Sequence, residues 1–249
     1  MTQEPANAAP RYAVYLAPKP ETALWKFGST VLGYDAASGQ EIAGFRLPSM
    51  APANWQKVTA RARTYGFHAT LKAPFYLAKN HNEQDLIAGL GAFANTQLAL
   101  EPIVLALTIL DENTAGGFLA LTPAKPYSAL RQLEAASVQA LDMFRAPLTG
   151  EDISRRNPQI LSERQKKYLA DYGYPYVLEE FRAHFTLCDR LPEPAKAASE
   201  LNDMMTGHIG AASVAVDELV LFKQPNLDAR FQIIARAQLE TTVIGTTVR

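Results

Sequence analysis

Apolar and polar residues alternate along several short segments of the chain, whereas other segments repeat apolar residues with helical spacing. Alternation predicts strands in residues 11–17, 97–110, 118–122, 213–222 and 230–239. Helical spacing predicts helices in residues 22–32, 52–63, 82–95, 126–144, 162–173 and 194–205. Strands and helices follow one another in a similar order in the two halves of the sequence. This order predicts a molecule made of two similar halves.

Two further extended runs contain one short pattern, a histidine followed two residues later by a threonine. The first copy, His68-Ala69-Thr70, lies in YGFHATLKAPF, a strand that Ala73-Pro74 should end. The second copy, His184-Phe185-Thr186, lies in EEFRAHFTLCDR, about half a chain length later. Residues 145–158, between the two copies, are predicted to form a polar loop. We expect the two motif strands to face one another across the centre of the molecule.

Side chains alternate between the two faces of a strand, so each histidine shares a face with its threonine. The same parity places further residues on these faces: Gly66 and Lys72 beside the first motif, and Arg182 and Cys188 beside the second. The intervening residues, such as Ala69 and Phe185, then point into a core. Each motif strand is therefore predicted to present a histidine, a threonine and one cation together.

This combination suits a phosphate ester. Histidine has an ordinary pKa of about 6.5, so one copy can be neutral while the other is protonated. A neutral imidazole takes a proton from water and an imidazolium protonates the leaving oxygen. Hydroxyls of Thr70 and Thr186 then donate to the non-bridging phosphate oxygens. The near symmetry of the device leaves open which histidine is the base.

The composition and net charge limit the kinds of substrate and binding partner that the sequence predicts. The 249 residues carry a net charge of −1, with 48% apolar and 20% charged residues, which is ordinary for a soluble protein. No basic field is present to hold long nucleic acid, so a small phosphorylated substrate is expected. The single cysteine, Cys188, excludes an intramolecular disulfide, and no secretory signal or membrane-length apolar run is visible. We expect a cytoplasmic protein without contact to a membrane.

No cofactor or metal is expected, because the four histidines and one cysteine lack metal-ligand spacing. Other side chains are candidates for substrate contact. Lys72 and Arg182 carry charge on the motif strands, and Tyr174 and Tyr176 precede the second motif. Tyr12 and Tyr15 differ in parity, so one of them at most faces the cleft, and Tyr15 is the candidate. Arg155 and Arg156 lie in the predicted loop and are suited to closing over an anion.

Three stretches carry a resemblance to a known family: RYAVYLAP, RTYGFHATLKAPF and LSERQKKYLADYGYPYVLEEFRAHFTL, which together span most of residues 11–190. In these stretches the chain resembles the 2H phosphoesterase superfamily, which is LigT-like (2′-5′ RNA ligase-like), and more narrowly its phosphonate-operon-associated DUF1045 branch. The resemblance implies a bilobal, pseudo-twofold duplicated α+β fold, with two antiparallel sheets facing across a central cleft and helices outside. It also implies catalysis by His68 and His184, with phosphate bound by Thr70 and Thr186.

The predicted domain organisation follows from the same match. Residues 1–10 and 241–249 are expected to be tails, and residues 11–240 one bilobal domain. Its halves are about 11–125 and 126–240, and whether they interleave is open.

The leading hypothesis is a metal-independent phosphodiesterase that hydrolyses a small cyclic phosphate ester. The operon association of the branch implies a ribose cyclic phosphate of phosphonate degradation. One alternative is processing of RNA ends with 2′,3′-cyclic or 2′-5′ linkages, which should show steep salt dependence. Another is a non-catalytic sensor of a phosphorylated metabolite. The oligomeric state is not predicted.

Overall fold

A computed structural model describes residues 9–156 and 158–241 of the chain. The predicted tails, residues 1–10 and 241–249, fall almost wholly outside the described residues. No helix in the described part of the chain is both long and apolar enough to span a membrane.

The strands run antiparallel to their neighbours. They are β1 (Arg11–Leu16), β2 (Tyr34–Asp35), β3 (Gln40–Glu41), β4 (Ala69–Tyr76), β5 (Leu100–Asn113), β6 (Gly116–Pro123), β7 (Phe185–Thr186), β8 (Ser213–Val216), β9 (Glu218–Gln224) and β10 (Gln232–Gln238). Strands β2 and β3 form a small ribbon, and the others form one eight-stranded sheet in the order β10-β9-β1-β4-β7-β6-β5-β8.

The helices pack beside this sheet. They are α1 (Ala23–Leu32), α2 (Pro52–Val58), α3 (Ala60–Tyr65), α4 (Glu83–Ala94), α5 (Ser128–Ala140), α6 (Gly150–Arg155), α7 (Glu163–Tyr172) and α8 (Pro194–Ile209), with short 3-10 turns at Asp142–Phe144, Pro158–Ile160 and Leu178–Glu180. Helix α4 contacts β9 and β10, α5 contacts β4, and α8 contacts β5 and β6. The predicted α+β class is confirmed.

The sheet consists of two four-stranded halves that meet where β4 pairs with β7, through Ala69 and Phe185. The two sheets expected from the resemblance are thus halves of one continuous sheet. One half contains β10, β9, β1 and β4, and the other contains β7, β6, β5 and β8. Each half-sheet therefore combines strands from the first and the second half of the sequence.

Strand β4 contains two irregularities that matter for the site. It continues to Tyr76, so the prediction that Ala73-Pro74 ends it was wrong. Against β1, Tyr12 pairs with Phe75 and Val14 with Lys72, so Ala73 and Pro74 both lie opposite one residue. Proline is tolerated at such a β-bulge because its missing N–H is not needed in the ladder.

A second register shift follows, because Val14 pairs with Lys72 whereas Tyr15 pairs with Thr70. Leu71 is therefore an extra residue without a partner on β1. An extra residue reverses the alternation of side chains beyond it. Lys72 consequently lies on the opposite face from Thr70.

The core side of the junction is closely packed. Phe67 and Phe185, neighbours of the two motif histidines, are buried with ring centroids 5.2 Å apart. Helix α1 reaches Phe67 at Gly28, where a Cβ atom would lie 2.3 Å from the ring. Only glycine permits this approach, which fixes the strand that carries His68 against α1.

Three other predictions differ from the structure. Residues 145–158 contain helix α6, begun by Thr149, whose side chain forms a reciprocal capping box with Asp152. The helix predicted over 52–63 is broken at Thr59, whose hydroxyl donates to the carbonyl of Trp55. The strand predicted over 213–222 divides into β8 and β9 at Asp217.

Candidate active site

The register of β4 against β7 brings the two motifs together. Ala69 pairs with Phe185, the middle residue of the other motif, and the strands are antiparallel. His68 therefore lies opposite Thr186, and Thr70 lies opposite His184. Directly opposed residues in antiparallel strands have Cα atoms about 4.5–5.5 Å apart and share a face. The four side chains form a compact group, here named the His/Thr quartet.

Both histidine rings are held by a hydrogen bond to a nearby backbone carbonyl. The Nδ1–H of His68 donates to the carbonyl of Gly66 at 2.9 Å, and that of His184 donates to the carbonyl of Arg182 at 2.7 Å. Each acceptor lies two residues before its histidine. This bond fixes the tautomer and leaves Nε2 free to act on a substrate. In the first motif, the Thr70 hydroxyl lies 3.3 Å from Nε2 of His68.

Gly66 is required for this arrangement. Its φ of 76° and ψ of −178° lie in a region that side-chain-bearing residues rarely adopt. A Cβ atom there would also lie 2.7 Å from Cβ of Ala36. The glycine thus aims the carbonyl that orients His68.

His68 lies in an aromatic environment. The Tyr15 ring stacks on it with centroids 3.7 Å apart and planes 21° apart, and Tyr65 and Phe222 lie at 6.2 and 6.1 Å. Burial lowers the pKa of His68 to about 4, against the opposing effect of the Gly66 carbonyl, and the nearby His184 lowers it further. His68 is therefore neutral at neutral pH.

His184 has more open surroundings. Phe118 of β6 meets its ring edge-on, with centroids 5.8 Å apart. The two histidines are consequently not equivalent, although their motifs are related by symmetry.

Lys72 does not join the His/Thr quartet, and the prediction that it shares the face of His68 was wrong. It is 2% exposed, and its Nζ donates to the carbonyl of Val138 at 3.0 Å and to the Asp142 carboxylate at 2.9 Å. Burial lowers the pKa of Lys72, and Asp142 opposes this effect. The extra residue Leu71 explains the change of face.

The second motif strand is also shorter than its alternation predicts. The side chain of Arg182 is 79% exposed and lies 3.8 Å from the Asp111 carboxylate. Arg182 contacts the His/Thr quartet through its backbone carbonyl, which accepts the hydrogen bond from His184. Cys188 is buried in the core, and burial raises its pKa to about 12. The N–H groups of Leu187 and Cys188 both point to the carbonyl of Leu119, a bulge that changes the alternation.

The predicted tyrosines lie in different environments. Tyr15 is fully buried against His68, and its hydroxyl has no hydrogen-bond partner among the described residues. Tyr174 is half-buried, and burial raises its pKa. Tyr176 is exposed and meets the Tyr174 ring edge-on at 5.6 Å. The Arg156 guanidinium lies 4.9 Å from the Tyr174 ring centre, whereas the side chain of Arg155 lies outside the described residues.

Sequence reasoning missed several neighbours of the quartet. Tyr65 and Phe222 enclose His68, and Phe118 contacts His184. Tyr65, three residues before His68 and next to the Gly66 already singled out, is the one of these neighbours that the motif segment itself could have indicated. The described residues contain no group of three or more His, Cys, Asp or Glu side chains placed to hold a metal ion.

Comparison with known proteins identifies the family. The profile of the family described as "Protein of unknown function (DUF1045)" matches residues 70–232. The chain is 37% identical over 233 residues to a protein of Laribacter hongkongensis (strain HLHK9) named ribose 1,5-bisphosphate phosphokinase PhnN. A protein of the same name from Janthinobacterium sp. (strain Marseille) is 35% identical over 210 residues.

These matches cover 90% and 83% of this chain but 50% and 45% of the relatives, so the chain spans about half of their length. Among solved structures, one described as a phosphoesterase covers 92% of the chain at 13% identity and a TM-score of 0.41, with 98% of that structure included. Usb1 of Kluyveromyces marxianus covers 94% at 12% identity and a TM-score of 0.40, with 100% of that structure included. From the sequence matches, the chain belongs to the DUF1045 family.

Proposed function

We propose that this protein is a metal-independent phosphodiesterase that hydrolyses a small cyclic phosphate ester. The observation that supports this most is the register in which Ala69 pairs with Phe185. It sets each histidine opposite the threonine of the other motif. The quartet then offers a base, an acid and two hydroxyl donors around one position, so the scheme needs no metal.

The unequal surroundings of the histidines suggest their roles. His68 is stacked under Tyr15 and neutral, which suits a general base, and the more open His184 suits the general acid. Nε2 of His68 takes a proton from water as the water oxygen forms a bond to phosphorus. The bond from phosphorus to the leaving oxygen breaks, and His184 gives that oxygen its Nε2 proton. The two rings then exchange protons with solvent to restore the starting state.

The threonines would stabilise the charge that grows on phosphorus-bound oxygens. In the free protein the Thr70 hydroxyl lies 3.3 Å from Nε2 of His68. A bound phosphate would redirect this hydroxyl to a non-bridging oxygen and free Nε2 for water. Thr186 would donate from the opposite strand.

The names of the relatives support a ribose cyclic phosphate as substrate. They are named for a kinase of ribose 1,5-bisphosphate, and this chain corresponds to about half of their length. We assign the kinase name to the half of the relatives that lies outside the match to this chain. Joining two enzymes in one chain suits consecutive reactions. A ribose 1,2-cyclic phosphate that carries a 5-phosphate would open here to ribose 1,5-bisphosphate.

Phosphorus NMR tests the proposal directly. The metal-free protein is incubated with a panel that includes ribose 1,2-cyclic phosphate 5-phosphate and a 2′,3′-cyclic nucleotide. We expect turnover of the ribose ester, and we expect His68→Asn and His184→Asn each to lower it by about 10²- to 10⁴-fold. His208→Asn, an exposed histidine of α8, is the matched control. Tight binding of an intact ester without product would instead indicate a sensor, and turnover of RNA ends alone would indicate RNA processing.

A further inference from the structure

A row of aromatic rings leads from His68 to a guanidinium. The ring of Tyr65 lies 6.2 Å from that of His68, and Phe231 stacks on Tyr65 at 5.2 Å with planes 20° apart. The guanidinium carbon of Arg11 then lies 5.6 Å from the Phe231 ring centre. Arg11 on β1 shares the strand face of Tyr15, which stacks on His68. The cation thus lies near the quartet and not in contact with it.

Two more arginines approach the same aromatic group from other elements. Arg156, which ends α6, lies over the Tyr174 ring at 4.9 Å. The charges of Arg156 and Arg61, an exposed residue of α3, both act on the Tyr174 hydroxyl, as does nearby Tyr65. We name Arg11, Arg61 and Arg156 the arginine cluster.

Burial raises the pKa of Asp189 and nearby Arg61 opposes this effect, so the charge of this cluster is partly compensated at Arg61 and not at its other two members. Among residues 9–156 and 158–241, no carboxylate forms an ion pair with any of its three members. Five of the nine other arginines whose side chains the structure describes do have one, such as Arg164 with Glu180 and Arg236 with Glu218. The Arg11 Nε donates to the neutral Oε1 of Gln224 at 2.8 Å, which orients the guanidinium without neutralising it. Arg11 and Arg156, two guanidiniums from separate elements without an ion-pair partner among the described residues, favour an anion, and Arg61 adds a third charge beside them.

A second observation points to a ligand. The Tyr15 hydroxyl is fully buried and has no hydrogen-bond partner in the described part of the chain. Its ring stacks on His68; burial raises the pKa of its hydroxyl, nearby Tyr65 and Tyr174 raise it further, and Arg11 opposes this effect. A buried hydroxyl without a partner is costly, so a bound oxygen between His68 and the arginine cluster would complete it.

We propose that the arginine cluster is a second anion subsite, which binds a phosphomonoester on the far end of a substrate whose cyclic phosphate occupies the His/Thr quartet. This inference rests on the proposed function and adds the residues that would bind the second phosphate of such a sugar ester. A guanidinium presents paired donors that match a phosphate dianion. The rings of Tyr65 and Tyr174 would flank the sugar between the two phosphates.

The kinetic test compares two substrates that differ only in one phosphate: ribose 1,2-cyclic phosphate with and without a 5-phosphate. We expect the wild type to show a kcat/KM at least ten times higher for the phosphorylated ester. Arg11→Gln and Arg156→Gln should each reduce this preference by about ten- to a hundred-fold, the range for one lost charged hydrogen bond. Arg46→Gln, at an exposed position outside the cluster, is the matched control. Equal kcat/KM values in the wild type, or an unchanged preference in both variants, would overturn the subsite.

Calorimetry with ribose 5-phosphate separates the subsite from the proposed function, because this probe has no cyclic ester. We expect it to bind the wild type and His184→Asn alike, to bind Arg156→Gln at least ten times more weakly, and to bind better than ribose. If Arg11→Gln does not fold because it loses its bond to Gln224, Arg156→Gln alone tests whether the anion subsite exists. Binding of ribose 5-phosphate no tighter than ribose would overturn the subsite even if cyclic esters are hydrolysed. Binding as expected without any ester hydrolysis would leave the subsite and overturn the proposed function.

Discussion

Ala69 and Phe185 pair with each other at the junction of the two half-sheets, and this pair lies at the centre of the site. Each is the middle residue of its motif, so the pairing sets the histidine of each motif opposite the threonine of the other. A slip of one residue would turn one motif to the opposite face of the sheet. Phe67 and Phe185, in contact on the core side, hold the register. The catalytic arrangement therefore depends on packing beneath it as much as on the motifs themselves.

Removing the ring that stacks on His68 should change the pH dependence of activity. Burial keeps the pKa of His68 at about 4, so the base is active above that pH and is lost as the pH falls through it. In Tyr15→Leu water reaches the imidazole, and we expect the acid limb of kcat/KM to move toward the ordinary pKa of about 6.5. Tyr12→Phe, on the other face of β1, should leave the limb in place. An unmoved acid limb in Tyr15→Leu would show that another group sets it.

Lys72 should matter for stability and little for turnover. Its ammonium is buried between the Val138 carbonyl and Asp142. Lys72→Met leaves both acceptors without this donor, so the free energy of unfolding should fall by about 1–3 kcal/mol. Asp142 keeps its bonds to Arg145, which limits the loss. Denaturant unfolding and kcat/KM should be measured together. A hundred-fold loss of kcat/KM with unchanged stability would instead place Lys72 on the phosphate.

Glu134 of α5 should make stability depend on pH. It is 1% exposed, its Oε1 is unpaired, and burial raises its pKa to about 8, against the Leu178 N–H and Lys72. The folded state favours the protonated form of Glu134. Its contribution to the free energy of unfolding is therefore complete below the unfolded pKa of about 4.5 and is lost as pH rises through 8.

The matched variant is Glu134→Gln, which keeps the acceptor for the Leu178 N–H and does not titrate. Between pH 5 and 8 the wild type should lose about 3–5 kcal/mol relative to this variant, as the pKa difference implies. Urea unfolding at several pH values measures the difference. Parallel stability curves for the two proteins would contradict the account.

Gly66→Ala should disturb the base directly. The substitution forces a side chain into a φ of 76° and against Ala36, which should cost about 1–3 kcal/mol of stability. It should also move the carbonyl that orients His68, so kcat should fall more than KM changes. Gly91→Ala, in α4 with open space around it, should gain about 0.5–1 kcal/mol and keep full activity. Equal kcat values in the two variants would show that the Gly66 carbonyl does not position His68.

Local signals in the sequence predicted much of this structure. Asn82 and Ser162 begin helices as expected, and Gly173 ends one, because capping depends on nearby residues. The parity that joins each histidine to its threonine is also local. The change of face at Lys72 was not predictable, because the extra Leu71 is defined only against β1. The pairing of Ala69 with Phe185 depends likewise on strands far apart in sequence, and the enclosure of His68 depends on Tyr15 and Phe222 from two further strands.

The central claim is that His68 and His184 act together on one phosphorus atom. The most direct measurement is kcat/KM for ribose 1,2-cyclic phosphate 5-phosphate in His68→Asn, His184→Asn and the double variant. Groups that act as a unit give strongly non-additive losses. We expect each single variant to lose about 10²- to 10⁴-fold and the double variant to lose little more. Wild-type activity in either single variant, or losses that simply multiply in the double variant, would contradict the account.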